Sequence, residues 1–159
     1  MSLPFIEAAL RGDLEAAGAE LDVALPDDFG DDVHVLHLRR DQMRADETVR
    51  PWLLRVMIPR VGPRRAVGRI GFHGPPDAGG RVEVGYTVYP EHRRQGLATE
   101  ATLALFAWAR AVHGITRFRA SVSPTNAPSL AVVRKLGMTR TGVQWDEIDG
   151  EELVFDLDL

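Results

Sequence analysis

Hydrophobic and polar positions alternate most cleanly between residues 82 and 89. Val82, Val84, Tyr86 and Val88 fall on one side, and Glu83, Gly85, Thr87 and Tyr89 on the other, which is the period of a strand. Pro90 ends the pattern because it has no amide hydrogen to donate. After the basic stretch Arg93-Arg94-Gln95-Gly96 comes an Ala/Leu-rich run with Leu103, Leu105, Phe106 and Trp108, helical in composition and length, which stops near Gly114. The unit therefore reads as strand, tight basic loop, helix N-terminus. Upstream, residues 4–21 carry two short helical patterns around Gly12-Asp13, with Asp13 as an N-cap. Leu25–Asp32 is turn-rich and reads as a surface loop, and Val33–Ala45 has loosely helical spacing. Trp52–Ile58 and Ala66–His73 are strand candidates separated by a turn at Arg60–Arg65. The Gly/Pro loop Gly74–Gly80 leads straight into the alternating strand, which predicts an antiparallel pair.

Downstream, Thr116–Val122 alternates as a strand, and Ser123-Pro124-Thr125-Asn126 opens a helix with Pro128 in its first turn. Leu130, Val133 and Leu136 give that helix its apolar stripe, and Gly137 suits the position just past its end. Met138–Ile148, an Asp149-Gly150 turn and Glu151–Leu159 predict a hairpin. The sum is an α/β chain: a mixed, mostly antiparallel sheet flanked by helices. A length of 159 residues suits one domain and is short for two. Within it, 1–50 reads as a helical region and 51–159 as the sheet and core.

Composition narrows the function. The chain is 45% hydrophobic and 26% charged, as expected of a soluble globular protein, and no apolar run approaches the ~20 residues of a membrane span. With no basic-then-apolar leader at the N-terminus, a cytoplasmic location is expected. A net charge of −4 argues against a nucleic-acid partner, which needs clustered cations. Cysteine is absent, which excludes a thiolate metal site and a Cys acyl-enzyme, so any acyl transfer would proceed by direct attack of the acceptor. His34 and His37 are three apart but lack a third convergent ligand, so no metal is expected.

The strand–loop–helix unit is also the best anion site in the chain. Such a turn gathers unpaired backbone N–H groups and the positive end of a helix dipole, and Gly96 lets a ligand approach the main chain. A phosphate or pyrophosphate fits that chemistry; the alternative is an ordinary strand-to-helix connection with a solvated Arg pair.

Arg93-x-x-Gly96-x-Ala98 after "GYTVYPEH" resembles the acyl-CoA pyrophosphate loop of the Gcn5-related N-acetyltransferases (GNAT). The following "ATEA" is similar to the ribosomal-protein N-terminal acetyltransferase (RimJ/RimL-like) branch. Asn126-x-x-Ser129-x-x-Val132-x-x-Lys135-x-Gly137 resembles the family's second cofactor element. The resemblance implies a single-domain fold with a splayed central strand pair and acetyl-CoA as co-substrate. It implies that Tyr86, Thr87 and Val88 meet the acyl carbonyl and pantetheine, with a bulge where Gly85 relaxes the strand. Arg93, Arg94, Gln95, Gly96, Leu97, Ala98 and Thr99 would hold the pyrophosphate, and Asn126 and Ser129 the pantetheine arm. The N-terminus departs from the pattern, since the family places a strand before its first helix.

An attacking amine must lose a proton, and Glu83 is the candidate general base; the alternative is an ion pair with Arg69 on the neighbouring strand. Many relatives carry a Tyr seven residues after the Asn as the acid for the leaving thiolate, and here that position is Val133. His73 ends its strand and reads as a loop-edge residue or, less favoured, as one that faces the acceptor site, and Trp52 and Trp108 read as core residues. Trp145 reads as sheet packing or, less favoured, as the wall of an amine pocket. The acceptor would be a peptide or protein N-terminus or a small-molecule amine, with room for a homodimer. The non-enzyme alternative is an acyl-CoA-binding sensor or interaction module.

Overall fold

The structure, a computed structural model, describes residues 1–148 and 150–159, so the turn predicted at Asp149 lies outside the described residues. The elements run α1 (Leu3–Leu10), α2 (Leu14–Ala19), α3 (Val33–Ala45), β1 (Arg55–Met57), β2 (Gly68–Phe72), β3 (Arg81–Val88), α4 (Leu97–His113), β4 (Arg117–Val122), α5 (Ala127–Lys135), β5 (Thr139–Asp146) and β6 (Gly150–Asp158). The strands form one six-stranded sheet in the order β1-β2-β3-β4-β6-β5. Only the β3–β4 pairing is parallel; the others recorded are antiparallel. Among the described residues no strand precedes α1; the nearest relic is a single parallel bridge between Ala24 and Arg65.

The chain divides into two compact units, Met1–Gly71 with Thr87–His92, and Phe72–Tyr86 with Arg93–Leu159. The first is helical and is built on caps that the sequence announces. The Asp13 carboxylate accepts the Ala16 N–H at 3.0 Å, and Asp32 accepts the Val35 N–H at 3.4 Å, each satisfying an amide that a helix start leaves over. Phe5, Ile6, Leu36, Leu53 and Tyr89 form its core. The supposed surface loop at Leu25–Asp32 is instead a 3-10 turn over Asp27–Gly30 that drives Phe29 fully into this core, edge-on to Phe5 at 5.6 Å. Four surrounding acidic residues conceal that one apolar anchor. Arg69 lies against the Phe29 ring, 5.9 Å from its centroid, and binds Asp32 at 2.7 Å. The Trp52–Ile58 strand shrinks to three residues because Glu47–Trp52 winds as a 3-10 helix around Pro51.

The second unit packs α4 and α5 against one face of its strands. Phe72, Phe106 and Phe118 stack with centroids 3.9 to 6.5 Å apart, and Val82 and Val133 are buried with them. The opposite face carries charge. Arg119 donates to both carboxylate oxygens of Asp156, at 2.9 and 3.1 Å, while Thr141 donates to the same carboxylate at 3.0 Å. Arg81 reaches Asp156 at 3.6 Å and Asp158 at 3.1 Å. The Arg119 guanidinium holds the Asp156 carboxyl below its ordinary value, outweighing desolvation. Trp52 and Trp108 are half-buried rather than core, and Trp145 is 76% exposed, so the sheet-packing reading of Trp145 is overturned.

Two stability outcomes follow. Truncating Phe29→Ala should cost about 3–5 kcal/mol in urea unfolding, although the sequence places it in a loop. Asp156, being depressed, stabilises the fold fully above the unfolded carboxyl value of about 3.9, and that contribution is lost as pH falls through its lower folded value. Asp156→Asn should therefore lower unfolding free energy at pH 7 by about 1–3 kcal/mol and flatten its decline below about pH 4.

Candidate active site

β3 and β4 pair only at Arg81↔Arg117, Val82↔Phe118 and Glu83↔Arg119. Beyond that point β4 continues to Val122 beside β6, and β3 continues alone on that side. Antiparallel pairing aims both polar groups of one residue at the same neighbour, and those of the next residue away from it. The His73 N–H donates to the Glu83 carbonyl at 2.8 Å, and the Tyr89 N–H to the Val67 carbonyl at 3.0 Å. Glu83 therefore faces His73 and the even-numbered residues of β3 face the β4 side; the Val84 N–H belongs to the last pair with β4, and the Tyr86 N–H lies beyond it. Main-chain donors at the end of a parted strand pair are what an acyl carbonyl requires.

At Gly85 itself a Cβ would stand 2.7 Å from His73 Nε2, so the missing side chain makes the slot for that imidazole. Glu83 lies beside this histidine, Oε1 3.8 Å from Nδ1, with Arg119 opposite it in register on β4. The expected alternative partner, Arg69, is instead bound to Asp32 and is only 4% exposed. The structural reading of Glu83 thus shifts from an arginine pair to a histidine neighbour. The sequence pairs Glu83 by parity with Arg69, whereas His73, the last residue of the predicted strand, is the one that lies opposite it.

After β3 the chain makes a short 3-10 turn, Pro90–His92, and then the basic loop. Arg94 has φ +63° and Gly96 φ +82°, so two left-handed residues flank Gln95 directly before α4. Gly96 is the N-cap and supplies no side-chain acceptor, while the Glu100 N–H already takes the Gly96 carbonyl at 3.0 Å. The first amides of α4, from Leu97 to Thr99, thus gain no side-chain cap. No atom lies within 4 Å of where a Gly96 Cβ would be, and residues 93–96 are all exposed. An open, left-handed helix start lined by two arginines fits a pyrophosphate.

At the second element, Asn126 caps α5, accepting the Ser129 N–H at 3.1 Å, which leaves its carboxamide nitrogen for another acceptor. Across from it on β3, the Tyr86 hydroxyl is buried, and although Ser129 lies beside it no well-formed hydrogen bond results. Burial pushes the Tyr86 phenol up, with the Ser129 side chain pulling the other way. Val133, one turn along α5, is fully buried and holds no proton to give. In the helical unit, burial pushes Tyr89 up to about 12. His34 and His37 are exposed on α3, and among the described residues no three metal-ligating side chains come together.

The comparisons agree with this geometry. Residues 26–139 match the Acetyltransferase (GNAT) domain family. The uncharacterised N-acetyltransferase YoaA of Bacillus subtilis is 33% identical over 86 residues, which is 54% of this chain and 49% of YoaA, so the chain spans about half the length of that relative. Among solved structures, the microcin C7 self-immunity acetyltransferase MccE, in complex with acetyl-CoA and AMP, superposes with TM-score 0.65 at 16% identity over 99% of this chain and 89% of its own. An acetyl transferase of Salmonella typhimurium that modifies the N-terminal serine of ribosomal protein L7/L12 gives TM-score 0.63 at 15% identity, covering 78% and 75%. A parted strand pair, a left-handed glycine opening α4 and a family match across most of the sequence have one explanation: the chain belongs to the GNAT acetyltransferase family.

Proposed function

We propose that residues 1–159 work as one acetyltransferase domain that moves an acetyl group from acetyl-CoA directly to an amine, with a peptide or protein N-terminus as the favoured acceptor. The observation that carries this reading is the exposed, uncapped start of α4 at the left-handed Gly96. The fold shared with an acetyltransferase that modifies a ribosomal-protein N-terminus, and with one bound to acetyl-CoA, supports the choice of acceptor and donor.

Acetyl-CoA would supply the activated acetyl thioester. Backbone N–H groups from Arg94 to Ala98, with Thr99 and the Arg93 and Arg94 side chains, would hold its pyrophosphate through the helix dipole and charge-assisted bonds. The Asn126 carboxamide and Ser129 would take the pantetheine amides, and the main chain of Tyr86–Val88 the acyl end. The Tyr86 N–H is then placed to stabilise developing negative charge on the carbonyl oxygen. Glu83 would act as general base toward the acceptor ammonium, directly or through an intervening group. Without cysteine, no thiol acyl-enzyme intervenes.

The sensor reading is favoured by one observation, the buried Val133 where many relatives carry a tyrosine acid. Thiol release separates the two. Purified protein with acetyl-CoA and a panel of N-terminal peptides and amines should liberate CoA thiol, and Glu83→Gln should slow it by about 10- to 100-fold. A sensor would show a CoA-dependent rise in melting temperature and no thiol with any amine. By calorimetry, Gly96→Val should weaken CoA binding about tenfold or more, because a β-branched residue resists positive φ and fills the ligand's approach. Unchanged affinity in a folded Gly96→Val variant would remove the cradle from the argument.

A further inference from the structure

We infer that His73 is a second catalytic residue: its Nε2 takes the proton from the acceptor ammonium, and Glu83 is the carboxylate that holds the resulting imidazolium. This rests on the N-acetyltransferase reading above and adds to it a proton acceptor on a neighbouring strand. Three features converge on the imidazole. The His73 backbone bond to the Glu83 carbonyl fixes the two residues opposite one another. Nδ1 faces the carboxylate at 3.8 Å. Nε2 lies over Gly85, where any side chain would strike it, and so projects onto the main chain directly before Tyr86, whose N–H faces the parted strands. The His73 side chain is 51% exposed, on the charged face opposite α4 and α5, and an amine can reach it from solvent.

The neighbouring charges are engaged elsewhere. Arg119 on β4 donates from Nε and Nη2 to the two carboxylate oxygens of Asp156 on β6, and Arg81 lies against Asp156 and Asp158. Asp77, in the turn between β2 and β3, accepts the backbone N–H groups of Gly79 and Arg81. Glu83 is thus the carboxylate next to His73. The chemistry also favours imidazole. A peptide α-amine titrates at about 7.7–8.0, an imidazole at about 6.5 and a glutamate at about 4.3, so the imidazole is the better matched acceptor near neutral pH.

In the step, the ammonium R–NH3+ gives one proton to Nε2, leaving R–NH2 and an imidazolium beside the Glu83 carboxylate. The amine lone pair forms the C–N bond as the C–S bond breaks. The second N–H proton leaves with the sulfur as thiol, and the imidazolium returns its proton to water.

Two measurements on the full chain test this. The first follows the His73 imidazole resonances by NMR against pH in wild type, Glu83→Gln and Gly85→Ala, and needs no turnover. The expected result is a midpoint lowered by about half a unit or more in Glu83→Gln and altered shifts in Gly85→Ala, where the slot is filled. The second is the pH profile of kcat/KM with an N-terminal peptide. His73→Gln should lower kcat by about 10- to 100-fold, remove the limb that rises with the imidazole midpoint, and leave the affinity for CoA unchanged. Imidazole added to His73→Ala should restore part of the lost rate. If wild type turns over and folded His73→Gln matches it within about twofold across the pH range, the inference fails and the N-acetyltransferase reading stands. If wild type releases no thiol with any acceptor, both fall. A His73 midpoint indifferent to Glu83→Gln overturns the pairing on its own.

Discussion

The parting of β3 from β4 after Glu83↔Arg119 is the constraint that gives this chain its chemistry. Two parallel strands that stayed paired would spend every inward N–H on each other, and the sheet would be closed to a ligand. The parting is held from both sides. β4 is fixed over its full length by six pairs to β6, from Arg117↔Asp158 to Val122↔Leu153. β3 is fixed by the bond from His73 to the Glu83 carbonyl and by the burial of Val82 and Val84. The left-handed run at Arg94 and Gly96 then turns the chain from the free end of β3 into α4. Main-chain donors at the strand end and at the helix start therefore belong to one continuous stretch of polypeptide.

The sequence makes the helices and the cradle legible for local reasons. Asp13, Asp32 and Asn126 cap their helices through bonds to amides three residues on, a rule that needs no tertiary information. The alternation from Val82 survives as β3, with Val82 and Val84 buried and Glu83 between them only partly so. What could not be read depends on contacts distant in sequence. Phe29 is surrounded by acidic residues and becomes core because Phe5 and Tyr89 wait for it. Gly85 looked like a place for a bulge, but its purpose is set by His73, twelve residues earlier, across a hairpin. Arg69 has the parity to meet Glu83, and Asp32 claims it instead. Trp145 has the period of a packed strand residue, but no layer of its own unit covers it. In each case local pattern fixed the element, and a partner from elsewhere in the chain fixed the role.

The charged face of the second unit shows how stability and chemistry can be held apart within one set of strands. Asp156 satisfies Arg119 through two bonds, accepts Thr141 and draws in Arg81, so its charge is committed to joining three strands. A carboxylate so engaged is a poor base, because taking a proton would forfeit those bonds. Glu83 stands opposite the same Arg119 but makes no such bidentate contact, and the His73 imidazole lies 3.8 Å from it. Because the arginine is already satisfied by Asp156, protonation and deprotonation near Glu83 do not strip a partner from the sheet. The lattice therefore lets one carboxylate on this face hold strands together while its neighbour remains available to answer a change in charge beside the open end of β3.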